Sequence, residues 1–199
     1  MAYKQLSAPA AEPLTLADAK RQLNVDLDFT DDDLVITRLI AAARQYAENR
    51  TRSSFITQQW GLVSDGFVCS GSSGGVLVLE HGPVQSIDSI TYLDMAGTVQ
   101  TMPPSDYVAD LSGVLGRVQP RFGQVWPATL PQIGAVTVNF TAGYGATAAS
   151  VPEGLVQWIM LRIGSLYAIR EDVVTERGIN IATVPFFDGL LDAYWQALV

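Results

Sequence analysis

Side chains that could carry out chemistry are few in this chain. His81 is the only histidine and Cys69 the only cysteine. A nucleophile–base–orienter arrangement, or a metal site made of histidine and cysteine, needs several such groups. We therefore predict no catalytic residue, no cofactor and no metal, so the protein is not an enzyme. One cysteine also cannot form an internal disulfide, which favours a reducing compartment. The roles of Cys69 and His81 themselves stay open.

Three consecutive carboxylates, Asp31, Asp32 and Asp33, could bind a divalent cation, because such ions prefer hard oxygen ligands. They directly follow Thr30 and precede an apolar pattern with helical spacing. Thr30 is a good helix N-cap, and negative charge is favourable at the positive end of a helix dipole. The glycine and terminal glutamate of an EF-hand loop are missing. The sequence therefore favours a helix cap over a metal site.

Other candidate sites are weaker. Trp126 and Tyr144 could line a sugar site, although loop anchors are the favoured interpretation. The glycine-rich segment at 70–75 lacks the Lys-Ser/Thr ending of a phosphate-binding loop, and we interpret it as a flexible loop tip. Scattered acids could form a glycosidase pair but are more typical of turns. These acids are Asp88, Asp94, Asp106 and Asp110.

Composition narrows the class of protein further. The chain has 199 residues, 48% hydrophobic and 16% charged, with a formal net charge of -8 and only two lysines, Lys4 and Lys20. An acidic chain without a basic cluster is not expected to hold nucleic acid by neutralising phosphates. We find no signal-peptide pattern and no apolar run of transmembrane length. The low charge suggests surface covered by a partner, or a large core with a neutral surface.

The strongest helix pattern covers residues 30–52. Arg50 and Arg52 lie in its predicted last turn, where cations are favoured. A second apolar helix is predicted at 152–172, with Pro152 at its first position. The first helix has one apolar face, made of Ile36, Leu39, Ile40, Ala43 and Ala47. Each helix needs a partner for its apolar face, so we expect the two helices to pack together.

Between these helices the apolar period changes to two, which indicates strands. Residues 53–145 carry six or seven short strand patterns separated by turn signals, as in a small sandwich or open barrel. Residues 1–13 are interpreted as an arm, 16–23 as a short helix capped by Thr15, and 186–198 as a short amphipathic helix.

The predicted fold class is therefore α+β. It is a small helical bundle formed by N- and C-terminal helices, with an inserted antiparallel β-sandwich or barrel-like lobe. The predicted domains are an N-terminal arm and helices at 1–52, an inserted β-rich lobe at 53–150, and a long C-terminal helix and tail at 151–199 that packs with 14–52.

Six phrases, in this order and spacing over nearly the whole chain, resemble the phage head–tail connector (adaptor) family in its longer form with a β-rich insert, as also found in gene transfer agents and prophages. The phrases are LTLADAKRQLNVD followed by DDDLVITRLIAAARQYAENRT, ITQQWGL, LEHGPVQSIDSITYLDMAG, VNFTAGYG, VPEGLVQWIMLRIGSLYAIRED and VPFFDGLLDAYW.

The resemblance implies a structural protein of the virion neck, made in the host cytoplasm. It would form a ring, expected as a dodecamer, under the portal protein, with a monomer in solution as an open alternative. The ring would extend the DNA channel, let DNA pass without specific binding, and join the portal to a head-closure, stopper or tail component. No membrane partner is implied.

Interface residues are predicted from the same resemblance and from helix position. Arg170 ends the long helix where family members carry an aromatic-Arg-Glu pattern, and we expect it to form an ion pair within or between subunits. The aromatic C-terminal segment either packs on its own domain or docks on another subunit. The predicted interface residues are Arg38, Arg44, Arg50, Arg170, Tyr194 and Trp195.

Two alternatives remain at this point. One is another neck component, a head-closure or tail-terminator protein, although such proteins have fewer helices. The other is a phage carbohydrate-binding or hydrolytic protein built on the β-rich segment, which would require convergent acids or an aromatic platform.

Overall fold

The computed structural model describes residues 1–67, 75–168 and 189–195. Its helices are α1 (Leu16–Leu23), α2 (Asp33–Thr51), α3 (Glu153–Ala168) and α4 (Gly189–Asp192), with a 3-10 turn at Ala148–Ser150. Its strands are β1 (Ala2–Ser7), β2 (Gln58–Ser64), β3 (Leu77–Leu79), β4 (Val84–Leu93), β5 (Val99–Thr101), β6 (Tyr107–Asp110), β7 (Gly116–Pro120) and β8 (Val136–Ala142). This content confirms the predicted α+β class.

The chain forms two compact units, each made of two chain segments. The first, here called the β unit, comprises Met1–Ala10 and Arg52–Ala146. The second, the helical unit, comprises Ala11–Thr51 and Thr147–Val199. No helix in the described ranges is both long and apolar enough to span a bilayer.

Within the helical unit, α1 begins as the sequence predicts. The Thr15 hydroxyl accepts a hydrogen bond of 3.1 Å from the backbone N–H of Asp18, which is a side-chain N-cap. The helix ends at Asn24, whose positive φ of 55° reverses the chain at the C-cap.

The N-cap predicted at Thr30 for α2 is wrong. The helix begins at Asp33, and the first helical acceptor is the carbonyl of Asp32, which takes the N–H of Ile36 at 2.9 Å. Thr30 contributes only its backbone carbonyl, to the N–H of Asp33 at 3.2 Å. The local pattern T-D-D-D allows a cap at either residue, and the chain entering from α1 selects the later one.

The apolar faces of α2 and α3 pack against each other, as predicted. Four α2 residues and four α3 residues are at most 2% exposed: Ile36, Ile40, Ala43, Ala47, Leu155, Trp158, Ile159 and Ile163. Gly164 is not part of this contact, because a Cβ added there meets nothing within 4 Å. The part of the predicted second helix beyond residue 168 lies outside the described residues, as do the two ends of the predicted tail helix, 186–188 and 196–198. Its middle part contains α4.

The β unit contains two antiparallel sheets, with strand orders β1-β2-β8-β4-β5 and β3-β7-β6. Strand β8 is central in the larger sheet, and its residues are alternately buried and half-buried, as the sequence predicts. Both sheets contribute to one core. Its buried members are Leu62, Leu77, Leu79, Val84, Ile90, Met102, Val118, Val136, Val138, Phe140 and Ala142.

The arm predicted at 1–13 is wrong for its first half. Residues Ala2–Ser7 form β1, which pairs antiparallel with β2 from Ala2↔Val63 to Ser7↔Gln59. Five of its six residues are exposed, so the strand has no alternating hydrophobic pattern to reveal it. Backbone pairing with β2 and the side chain of Tyr3 hold it in place.

Tyr3 belongs to an aromatic cluster with His81 and Trp60. The His81 ring stacks on Trp60 with centroids 3.9 Å apart and meets the Tyr3 ring edge-on at 5.0 Å. The Tyr3 hydroxyl donates to the carbonyl of Val78 at 3.1 Å and accepts from the N–H of Glu80 at 3.0 Å. Burial raises the pKa of Tyr3 to about 12 and, with nearby Arg52, lowers the pKa of His81 to about 4.

The His81 environment predicts a pH-dependent stability. Unfolded histidine binds its proton near pH 6.5, whereas folded His81 binds it only near pH 4. Stability is therefore full above pH 6.5 and falls as the pH drops toward 4. For this partly exposed ring we expect a loss of roughly 1–2 kcal/mol at pH 5, measured by urea unfolding between pH 5 and 7.

His81→Asn is the matched variant, because asparagine tolerates the positive φ of 66° at this position. The variant is expected to be less stable at pH 7 but to show a flatter stability profile from pH 7 to 5. Because His81 is the only histidine, an unchanged profile in the variant would contradict this assignment.

Candidate interaction surfaces

The junction between α1 and α2 is built around a buried lysine. Lys20 is 3% exposed, and its Nζ donates to the carbonyls of Leu27 at 3.0 Å and Phe29 at 2.7 Å. The same Nζ lies 2.5 Å from a carboxylate oxygen of Asp33 at the start of α2. One ammonium group therefore connects α1, the intervening loop and the first turn of α2. The sequence does not indicate this role, because the path of the loop decides where the two carbonyls and Asp33 lie.

The acidic cluster at the start of α2 is used within the chain. Asp33 pairs with Lys20, and Asp32 accepts a hydrogen bond from the hydroxyl of Tyr167 on α3. Within the described ranges, no group of three histidine, cysteine or acidic side chains is arranged to hold a metal ion. The geometry thus favours the structural interpretation of these aspartates.

Arg44, a predicted interface residue, is buried instead. It is 6% exposed, and its Nε and Nη2 bind both carboxylate oxygens of Glu12 at 2.7 and 3.2 Å. Its Nη1 binds Glu48 at 2.6 Å. Burial alone would lower the pKa of Arg44, but the two carboxylates outweigh it and raise that pKa above its ordinary value. Arg44 therefore anchors the segment before α1 to α2 within the single chain, and its place at an interface stays a prediction.

Other predicted interface residues do lie at the surface. Arg38 and Arg50 are exposed on α2. No ion pair formed within residues 1–67, 75–168 and 189–195 includes either of them. Trp195 is 52% exposed, whereas Tyr194 is half-buried near Gly154 of α3. Arg170 lies outside the described residues.

A ring stack closes one side of the α2–α3 contact. Tyr46 on α2 lies parallel to Trp158 on α3, with centroids 5.6 Å apart, and the guanidinium of Arg162 lies 5.6 Å from the Tyr46 centroid. Tyr46 remains 47% exposed. Such a stack adds specific geometry to the buried apolar contact.

In the β unit, Asp94 and Asp106 lie in loops, Asp110 ends β6, and Asp88 lies within β4. Asp94 accepts from the backbone N–H groups of Ala96 and Thr98, each at 2.9 Å. Hydrogen bonds from Ser112 and Arg117 lower the pKa of Asp110 to about 2. These hydrogen bonds hold the carboxylates of Asp94 and Asp110 in their ionised form within their own loops. This is typical of turn residues and not of a glycosidase pair.

The aromatic residues considered for a sugar site are loop anchors. The Trp126 ring stacks on Phe67 with centroids 4.4 Å apart, and its Nε1 donates to the carbonyl of Gly75 at 2.6 Å. The backbone N–H of Tyr144 donates to the carbonyl of Phe55 at 3.3 Å. Trp126 therefore packs one ring face on Phe67 and holds its loop to Gly75, as a loop anchor does.

Comparison with known proteins gives one sequence match and several structural ones. Residues 13–90 match the family described as phage gp6-like head-tail connector protein. A search of curated protein sequences finds no match.

The fold is similar to three solved structures over 100% of this chain and 97% of each matched chain. One is described as the neck of an empty GTA particle computed with C6 symmetry, with a TM-score of 0.75 and 22% identity. Another is the virion of a native gene transfer agent (GTA) particle, with 0.76 and 20%. The third is the neck of a native GTA particle computed with C12 symmetry, with 0.71 and 21%.

The Lys20 junction gives a stability prediction. Lys20→Met keeps the aliphatic stem but leaves the carbonyls of Leu27 and Phe29 without their donor and Asp33 without its cation, so we expect a loss of about 2–4 kcal/mol in the free energy of unfolding. Lys4→Met is the matched control, because Lys4 is the only other lysine and is exposed on β1. Urea unfolding of both variants measures the difference. Equal stability of the two variants would contradict the role assigned to Lys20.

Proposed function

Because residues 13–90 carry the sequence pattern of phage gp6-like head–tail connector proteins, we propose that this chain is a structural head–tail connector in the neck of a tailed phage or phage-like particle. The observation that carries this proposal is the agreement of two independent likenesses. The family match begins in the helical unit and ends in the β unit, and the fold likeness extends over the whole chain.

The described chemistry supports a structural role. The carboxylates that could have served catalysis or metal binding are instead in caps, turns and ion pairs. The buried polar groups Lys20 and Arg44 hold segments of the helical unit together. A protein whose polar residues are used in this way acts through the surfaces it presents.

In the particle, copies of the chain form a ring under the portal protein that extends the DNA channel. The related neck structures computed with C6 and C12 symmetry support a ring, and the second of these symmetries is compatible with the dodecamer proposed here. Its neighbours are the portal on one side and a head-closure, stopper or tail component on the other. The net charge of -8 suits a channel wall that lets DNA pass.

The architecture that serves this role is a small helical bundle from the N- and C-terminal segments, with a β-sandwich lobe inserted between them. The bundle comprises 14–52 and 151–199, and the lobe comprises 53–150 together with the N-terminal strand. The packing of α2 on α3 and the shared core of the two sheets support each half of this description.

The carbohydrate alternative is not supported by the β unit. It required convergent acids or an aromatic platform, and instead Asp94, Asp110 and Trp126 are engaged in their own loops. The other alternative, a head-closure or tail-terminator protein, differs from a connector in its binding partner. Of these proteins, a connector is the one that binds the portal protein directly.

Portal capture tests the proposal. The purified full chain, immobilised through a tag, is expected to retain the portal protein encoded beside it, and negative-stain images of the complex should show a ring added to the portal. A portal protein from an unrelated phage serves as the control. Failure to retain the cognate portal at any salt concentration, with or without the other neck components, would refute the connector assignment.

The acidic surface gives a second prediction. In an electrophoretic mobility assay at low salt, the chain is expected to leave linear duplex DNA unshifted, because it has no basic cluster with which to release counterions. A salt-dependent shift of the DNA would contradict passive passage through the channel.

A further inference from the structure

The outward side of α3 is almost uncharged. Five exposed residues recur along it with a spacing of three or four, which places them in one stripe. These residues, here called the α3 stripe, are Glu153, Gln157, Leu161, Ser165 and Ala168. Leu161, at the centre, is 40% exposed. Apart from Glu153 the stripe carries no charge, and its centre exposes a leucine, so this side of α3 is suited to contact with another protein surface.

The outward side of α2 carries a stripe of the same length. Its exposed residues, here called the α2 stripe, are Leu34, Arg38, Ala42, Gln45 and Asn49. Leu34 is 62% exposed, and Arg50 is exposed beside the C-terminal end of the stripe. Both stripes extend over about fifteen helical steps, or about 22 Å at 1.5 Å per residue.

The two stripes point away from each other. The buried faces of α2 and α3 meet inside the helical unit, and each stripe lies on the opposite side of its own helix. One copy therefore presents the α2 stripe to one side and the α3 stripe to the other. Contacts between two different surfaces of identical copies are heterologous, and they close into a ring when the rotation allows it.

Charge selects the relative direction of the two stripes. In an antiparallel arrangement, Glu153 at the start of α3 faces Arg50 at the end of the neighbouring α2. Leu161 then faces Ala42, and Ala168 faces Leu34. In a parallel arrangement Glu153 would instead approach Asp33 and the preceding acids, which is repulsive.

We propose that the α3 stripe of one copy packs antiparallel on the α2 stripe of the next copy, with Glu153 paired to Arg50 across the contact. This rests on the proposed ring and adds the surfaces from which the ring is built. Glu153 and Arg50 take part in no ion pair within the described ranges. Both are therefore available to a neighbouring copy.

Charge reversal tests the pairing. Arg50→Glu and Glu153→Arg are each expected to weaken subunit association roughly threefold to tenfold per contact, since each places like charges opposite one another. Sedimentation velocity and native mass spectrometry, on the chain alone and on its portal complex, measure the assembly. Arg121→Glu, an exposed arginine in the β unit, is the matched control and should have no effect.

Mixing the two single variants separates contacts between copies from effects within one copy. In an alternating assembly, the glutamate introduced by Arg50→Glu meets the arginine introduced by Glu153→Arg, and the next contact is the original pair. Equal mixtures are therefore expected to regain the association of the original chain, with equal numbers of each variant in the assembly. Defects caused by the helix dipole within one copy would not be rescued by mixing, and that result would overturn the pairing.

Disulfide trapping tests the register. In a Cys69→Ser background, Gln45→Cys combined with Gln157→Cys should give a ladder of covalent multimers beyond the dimer, because antiparallel stripes place these positions opposite each other. Arg38→Cys combined with Gln157→Cys is the parallel-register control and should not give this ladder. A ladder from the control pair alone, or from neither pair, would overturn the proposed contact.

Portal capture of the same variants distinguishes the two levels of the proposal. If the Gln45→Cys, Gln157→Cys variant binds the portal but forms no covalent ladder, alone or in the portal complex, the proposed contact is wrong. The proposed connector function would be unaffected by that result. Loss of portal binding already in the Cys69→Ser parent, which has no cysteine and forms no ladder, would remove the function as well.

Discussion

The apolar contact between α2 and α3 is the constraint on which the helical unit depends. Ile36 and Ile40 on one helix, and Trp158 and Ile159 on the other, are at most 2% exposed. Burying side chains of this size stabilises a fold by roughly 1.5–3 kcal/mol each. Neither helix could keep such a face in water, so two segments separated by about a hundred residues must come together. The intervening chain is thereby required to leave and return, and it folds as a unit with its own core.

Buried charge gives the helical unit its specific geometry. Lys20 and Arg44 are both nearly inaccessible, and each is matched by carbonyls or carboxylates from more than one segment. Buried ion pairs add little net stability compared with apolar replacements, but a missing partner is costly. These two residues therefore fix where α1 and the preceding segment lie against α2. Their own charges are buried inside the helical unit. The outward sides of α2 and α3 are left with few charges as a result.

The described side chains of this protein are used mainly for its own structure. The carboxylates of the β unit hold turns, as Asp94 does, and the aromatic rings fill loops, as Trp126 does. Some of the exposed residues form continuous stripes on α2 and α3. Surfaces of this kind suit repeated packing of identical copies better than recognition of a small ligand.

Local pattern alone determined much of this protein. The three- and four-residue spacing of Ile36, Ile40 and Ala43 predicts α2, and the alternation in β8 predicts a strand. The capping of α1 by Thr15 also follows from adjacent residues. The order of six phrases predicts the family, because those phrases carry the same local patterns in the same succession. All of these signals come from residues within a few positions of one another.

Tertiary structure decided the features that depend on distant partners. Strand β1 has a mostly exposed, polar sequence and becomes a strand only because β2 offers its edge. The arginine predicted at an interface, Arg44, is buried because Glu12 lies beside it, 32 residues earlier in the chain. The helix α2 begins at Asp33 and not directly after Thr30, and the loop before it is bound through its carbonyls to Lys20 of α1. Propensity and spacing describe each segment separately, whereas burial and ion pairing depend on which segments meet.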